Sequence, residues 1–457
     1  MPKNLLSVGI VALSFAAAAS YAQTLVTATG GTGSPIVGGF ANWSPDPAGM
    51  TEFKAQNHLN VTQNALTRGL GKYKNATVPG GTIPFFESYF LTGSRNSIYT
   101  YTMVGQSPVA GGTTTIPTVL ITLPLELVDS TNGTTYYFFD PRAANDLGLS
   151  DLQLIQQSPA YNSNTYPGGG AGGVLPADTG QLVDTAQRAS FHGVADPSWH
   201  TVWGTPSVNE SYGGLLDYAA GDWVCIGGEF PPCTSFPVVN INSISNIFGQ
   251  VLNLLGTGVV PNTTVPMFIT DFVTAFDPSS GGCCVLGYHT AQTGVGGSGI
   301  LVWGWGTYLT HNPSNGFGNP FGPTFSDITV WAHETSELAN DPFVNTNVAP
   351  YVDGTGASFC QGNLETGDVI ETMGAQAVYS IGVTTSGGAY TYHPQNTVLL
   401  DWFVRNPYSD TATGQQDGTY SWPDTSTLNQ HAHTGGGPGI NGAWRGEGSG
   451  HFCNGVN

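Results

Sequence analysis

Apolar and polar positions follow different periods along the chain, and each period predicts an element. Residues 97–104 alternate, and residues 113–128 are β-branched and apolar up to Thr131-Asn132-Gly133, a hairpin signal. The 80–140 region therefore reads as an antiparallel β layer. Helical spacing appears before it, with Phe53, Leu59, Val61, Leu66 and Leu70 recurring across residues 50–73, and after it in residues 180–192, where Leu182, Val183, Ala186, Ala189 and Phe191 gather toward one side. Residues 236–258 form another segment rich in Val, Ile, Leu and Asn. Residues 265–276 and the aromatic run 299–309 read as strands. After a Gly-, Asn- and Pro-rich loop at 311–323, a helix is expected from about Asp327, capped by Ser326 or Asp327 and ended near Pro342. The fold class these segments predict is α+β, β-rich, with a metal-binding helix in the C-terminal half. Residues 434–457 read as a Gly-rich loop.

The ends and the composition add context. Lys3, the apolar run at residues 5–19 and Ser20-Tyr21-Ala22 predict a signal peptide over residues 1–22, hence a secreted chain, extracellular or periplasmic, beginning at Gln23. No later stretch reaches the roughly 20 apolar residues a membrane span needs. Residues 23–50 read as a flexible leader, 51–215 as a β-rich N-terminal region, and 216–457 as the C-terminal region that carries the candidate site. The six cysteines (Cys225, Cys233, Cys283, Cys284, Cys360 and Cys453) suit disulfides in an exported chain, with Cys225 and Cys233 placed to close a local loop. Ten Lys plus Arg stand against 30 Asp plus Glu, a formal charge of -20, which argues against nucleic acid or an anionic membrane as partner. Oligomeric state has no signature in the sequence.

The chemistry concentrates in His333-Glu334-Thr335-Ser336-Glu337. On a helix, His333 and Glu337 stand one turn apart on one face, where they can bind the same ion. Glu334, about 100° round the axis, can take a proton from a water beside that ion. The pattern is HExxE rather than HExxH, so a carboxylate replaces the second histidine; zinc is the expected ion, with calcium as the alternative. A third ligand is expected from Glu365 or Asp368 in Leu364-Glu365-Thr366-Gly367-Asp368, about 28 residues downstream. Asp341, a further turn along the helix, either binds from the helix end or caps the turn.

The stretch from His333 to Asp368 resembles a group of exported bacterial proteins with an HExxE-xxx-DP motif followed by Glu-x-Gly-Asp. It also resembles, more distantly, the plant extracellular EXORDIUM (phosphate-induced protein) family, which has a similar HExxE-xxx-NP helix. The residues concerned are His333, Glu334, Glu337, Asp341-Pro342, Glu365 and Asp368. The bacterial resemblance extends in patches through 101–105, 181–189 and 284–289. It implies a zincin-like metal site and brings no substrate with it.

Other constellations are weaker. His289 can approach the site as a transition-state stabiliser or a ligand, or it can be structural. Ser190, His192, Asp196 and His200 invite a triad, but no GxSxG turn accompanies them. His431, His433 and His451 fall in the tail, and Trp303, Trp305, Trp402 and Trp422 read first as core. Two functions follow: a metal-dependent hydrolase, foremost a zinc metallopeptidase acting on a peptide or protein, or a non-catalytic extracellular or cell-surface protein holding a structural cation. A carbohydrate-binding module is a third.

Overall fold

This computed structural model describes residues 24–27, 74–91, 98–404, 419–428 and 445–446, apart from breaks at 146, 171–172, 209–211, 227, 279–281, 295–296, 310–318, 320, 323, 353–359 and 372. The expected signal peptide, the 50–73 helix and the three tail histidines lie outside the described residues.

Strand outweighs helix, as a β-rich α+β chain requires. The centre is a five-stranded sheet. We label its strands β1 (Thr118–Thr122), β2 (Ser207–Val208), β3 (Val265–Asp271), β4 (Gly287–Thr293) and β5 (Ile300–Tyr308). Their order is β2-β1-β3-β5-β4; the first four run parallel, and β4 pairs antiparallel with β5 at the edge. The middle strands β1, β3 and β5 are buried along their whole length, which is why they read as apolar runs rather than clean alternation. The expected antiparallel layer is thus only part of the picture. The hairpin at Thr131-Asn132-Gly133 joins Leu125–Asp129 to Thr134–Phe139 as expected, with Gly133 at φ 69°. β1, however, leaves that layer and joins the parallel sheet. Within the 23–50 leader, Thr24–Thr27 forms a strand parallel to Tyr212–Asp217.

Helices cover both faces of this sheet. They are α1 (Leu182–Ser190), α2 (Ile241–Val259) and α3 (Thr329–Asn340). Helix α2 buries Ile244, Ile247, Phe248, Val251, Leu252 and Leu255, a stripe at three- and four-residue spacing, against Phe268, Trp303 and Trp305. Asn240 caps it, its side chain accepting from the Asn242 N–H at 3.0 Å. Met267, Ile269 and Val302 point to the other face, where they pack with Val183 and Ala186 of α1 and Trp331, Ala332, Leu338 and Ala339 of α3. The four tryptophans named above are buried, so they are core.

Helix α3 lies close to the sheet because β5 offers glycine beneath it. An added Cβ at Gly306 would sit 3.2 Å from the Trp331 ring. The helix start differs from expectation. Asp327 takes φ 43° and Ile328 is the N-cap residue, without a side-chain cap bond. Asp327 instead holds His393, its Oδ2 2.6 Å from Nδ1, while Thr329 Oγ1 lies 2.7 Å from the Ser326 carbonyl and 2.6 Å from the His393 carbonyl. The polar residue next to the helix is therefore used sideways, to tie α3 to the 393 loop. The other end matches: the Asp341 N–H closes on the Glu337 carbonyl at 2.7 Å, and Pro342 stops the helix.

Cys225 and Cys233 form the expected local disulfide, and Cys284 is also disulfide-bonded. Among the described residues no helix is long and apolar enough to cross a membrane.

A candidate metal centre

Helix α3 places His333, Glu334 and Glu337 beneath the edge strand and beside the segment 364–371. Glu334 and Glu337 are buried, and His333 is nearly so. The i, i+4 pair does what the spacing predicts: His333 Nε2 lies 3.2 Å from Glu337 Oε2. Asp368, the first residue of the short helix α4 (Asp368–Glu371), completes the group, its Oδ1 3.1 Å from the same nitrogen. Tetrahedral zinc with bonds of about 2.0–2.2 Å sets neighbouring donor atoms about 3.3–3.6 Å apart, so this trio needs little movement to close on one ion.

Two of the three donors are oriented by something behind them. His333 Nδ1 is 3.0 Å from Gln395 Oε1, and Gln395 Nε2 donates to the Gly367 carbonyl at 2.6 Å. An amide oxygen can only accept, so Nδ1 carries a proton; without a metal the carboxylates accept from Nε2, and once that proton is lost the Nε2 lone pair is available to a cation. Glu337 Oε1 accepts the N–H groups of Gly367 and Asp368, at 3.0 and 3.2 Å, leaving Oε2 for a cation. Gly367 makes this approach possible: a Cβ there would stand 2.6 Å from His333 Nδ1. Gly287 does the same on the strand, where a Cβ would meet Glu334 Oε1 at 2.7 Å.

His289, on β4, belongs to the same place. Its Nδ1 lies 3.7 Å from Glu334 Oε2 and 3.7 Å from Glu337 Oε2, and its Nε2 is 3.9 Å from Glu365 Oε2. The sequence offered one usable signal for it, a histidine in Gly287-Tyr288-His289-Thr290 just after Cys283-Cys284. Register then sets His289 opposite Gly304, next to the Gly287–Gly306 pair. Two donor groups result: His333, Glu337 and Asp368; and His289, Glu334 and Glu337. Either can hold a metal ion.

Glu365 stands beside the second group, buried, with Oε2 lacking a hydrogen bond. Asp341 does not enter either group. Its carboxylate accepts the N–H groups of Asn345 and Thr346 at 3.1–3.2 Å, the turn-capping alternative among its two expected roles. The Ser190–His192–Asp196–His200 triad does not assemble either: His200 pairs with Asp184 at 2.9 Å, and Asp196 holds Ser198.

The electrostatics call for a cation. No Lys or Arg occurs in the sequence between Arg188 and Arg405. Glu334, Glu337, Glu365 and Asp368 gather around the imidazoles of His289 and His333. Burial pushes Glu334 up to about 8, against the pull of His333. Burial likewise raises Glu337, and burial with Glu337 and Asp341 nearby raises Glu365 well above the usual carboxyl range. Burial disfavours the His333 imidazolium, but Glu337, Asp368 and Glu334 outweigh it and hold its pKa well above the ordinary value. Without a metal the cluster therefore keeps protons; a divalent cation would replace them.

A cavity of about 540 Å³ opens onto these groups. Its polar end is formed by His289, His333, Glu334, Glu337, Glu365, Asp368 and Glu371, and its other wall by Ile241, Ser245 and Gly249 of α2 with Tyr288, Trp303 and Val330. Tyr288 is fixed by its hydroxyl, 2.8 Å from Ser245 Oγ.

Gln395 gives a direct check on the orienting shell. Gln395→Ala should weaken metal binding about 10–100-fold while leaving the fold intact, read by competition with a chromogenic chelator. Unchanged affinity would remove Gln395 from the site.

Compared with known proteins, the chain matches no family model, no curated protein and no solved structure.

Proposed function

We propose that this protein is an exported metal-dependent hydrolase, foremost a zinc peptidase, built on the HExxE helix α3. The observation that carries this reading is the trio His333, Glu337 and Asp368, the first two oriented from behind, opening onto a cavity with Glu334 at its wall. The resemblance of the His333–Asp368 stretch to exported HExxE proteins supports it, as does the disulfide. A peptide is the favoured substrate because β4 is a sheet edge among the described residues, and five of its residues line the cavity. An extended chain can lie along such an edge and offer a carbonyl to the site.

In this mechanism His333, Glu337 and Asp368 are the ligands, and Glu365, beyond His289, is the reserve carboxylate. Bound there, zinc supplies Lewis-acid polarisation and a water of lowered pKa. Glu334 takes the proton of the attacking water and returns it to the departing amine. Burial holds Glu334 at about 8 without a metal, and a cation beside it would favour the ionised form that accepts this proton. His289 Nδ1, 3.7 Å from Glu334 Oε2, faces the same space.

Elemental analysis of the purified mature protein beside His333→Ala tests the reading. About one equivalent of zinc, lost in the variant, is expected. Calcium in its place would favour a structural cation, and metal-free but folded protein that cannot be reloaded would overturn the site.

A further inference from the structure

We propose that His289, Glu334 and Glu337 form a second divalent-cation site, which shares Glu337 with the first and fills only at higher metal concentration. The two histidines are mounted alike. His289 Nε2 lies 3.2 Å from the main-chain carbonyl of Asp341, as His333 Nδ1 lies 3.0 Å from the Gln395 amide oxygen. Neither oxygen has a proton to give, so in each ring the nitrogen facing it is the protonated one. The remaining nitrogen of His289, Nδ1, then directs its lone pair at Glu334 Oε2 and Glu337 Oε2. At 3.7 Å each, these contacts are too long for hydrogen bonds. They suit atoms that share an ion, because a divalent cation with bonds of about 2.0–2.6 Å separates its neighbouring ligands by roughly 3–4 Å.

One further observation points the same way: three buried carboxyl groups, Glu334, Glu337 and Glu365, surround His289, and once ionised they carry more negative charge than one divalent ion offsets. The second ion binds more weakly because it meets the first across a shared carboxylate oxygen, Glu337 Oε2. Once bound, it takes the lone pairs with which Glu334 would accept a proton. Hydrolysis should therefore fall over the metal range that fills the second site; this consequence rests on the hydrolytic reading, whereas the site itself does not.

Equilibrium dialysis of metal-stripped mature protein against zinc, and separately against calcium, decides the matter. Wild type should show two classes of about one equivalent each, separated at least tenfold in affinity, for one or both ions. His289→Ala should lose the weak class and keep the tight one, and His289→Gln, which preserves more of the packing, should do the same. His333→Ala should instead lose the tight class. A single class in wild type up to millimolar metal would overturn the second site. Loss of all binding in folded His289→Gln would also overturn it, since one ion would then be held by both histidines. Two classes without detectable peptide hydrolysis would uphold the second site and sink only the hydrolytic reading.

Discussion

Glu334→Gln should lower peptide hydrolysis about 10²–10⁴-fold, the usual cost of removing a general base, while zinc in the tight site and the thermal midpoint stay near wild type. Glutamine keeps the size and one acceptor of the buried side chain but can no longer take a proton. Glu334 is separate from the trio that binds the first ion, and its carboxylate faces His289 and the cavity rather than Asp368. The decisive comparison is kcat against metal content. Loss of activity with metal retained fits proton transfer at Glu334. Loss of tight metal would make Glu334 a ligand, and full activity would move the base elsewhere, with Glu365 and Glu371 the nearest alternatives along the cavity.

The residues of this site were unequally visible in the sequence. His333, Glu334 and Glu337 lie on one short stretch of helix, so local spacing alone places His333 and Glu337 on a common face with Glu334 about 100° round from His333. Asp368 was reachable because it follows the helix after a short excursion, and the structure brings it to 3.1 Å from His333. Its rival Glu365 ends up on the opposite side of His289, a difference of loop path that no spacing encodes. Asp341 has the right residue type and helical phase, yet its carboxylate is consumed by the Asn345 and Thr346 N–H groups of the turn that Pro342 imposes. His289 depends on strand register, which is a long-range property. Only once β4 pairs with β5 does it sit over α3. The same limit hid the parallel sheet: β1 looks like part of a local antiparallel run, and its partner β3 lies more than a hundred residues away. Helix α3, strand β5 and the Thr131-Asn132-Gly133 hairpin, all local features, were legible.

Stripping the metal should reverse the dependence of stability on pH. In the metal-free protein, Glu334 is held at about 8 and Asp341 at about 6, and burial raises Glu337 and Glu365 as well. A carboxyl raised by folding contributes stability below its unfolded pKa, near 4, and that contribution disappears as pH climbs through the folded value. His333, raised by its carboxylate neighbours, has the same sign, with stability present below about 6.5 and lost above. The chelated protein should therefore lose roughly 5–10 °C in Tm between pH 5 and pH 8. Metal binding needs these groups deprotonated, so the loaded protein gains over the same interval. Calorimetry at several pH values, with and without zinc, should show two curves that diverge as pH rises, and the divergence should vanish in Glu337→Gln. Parallel curves would mean that the carboxylates are already balanced without a cation, which would remove the electrostatic ground for a metal at this site.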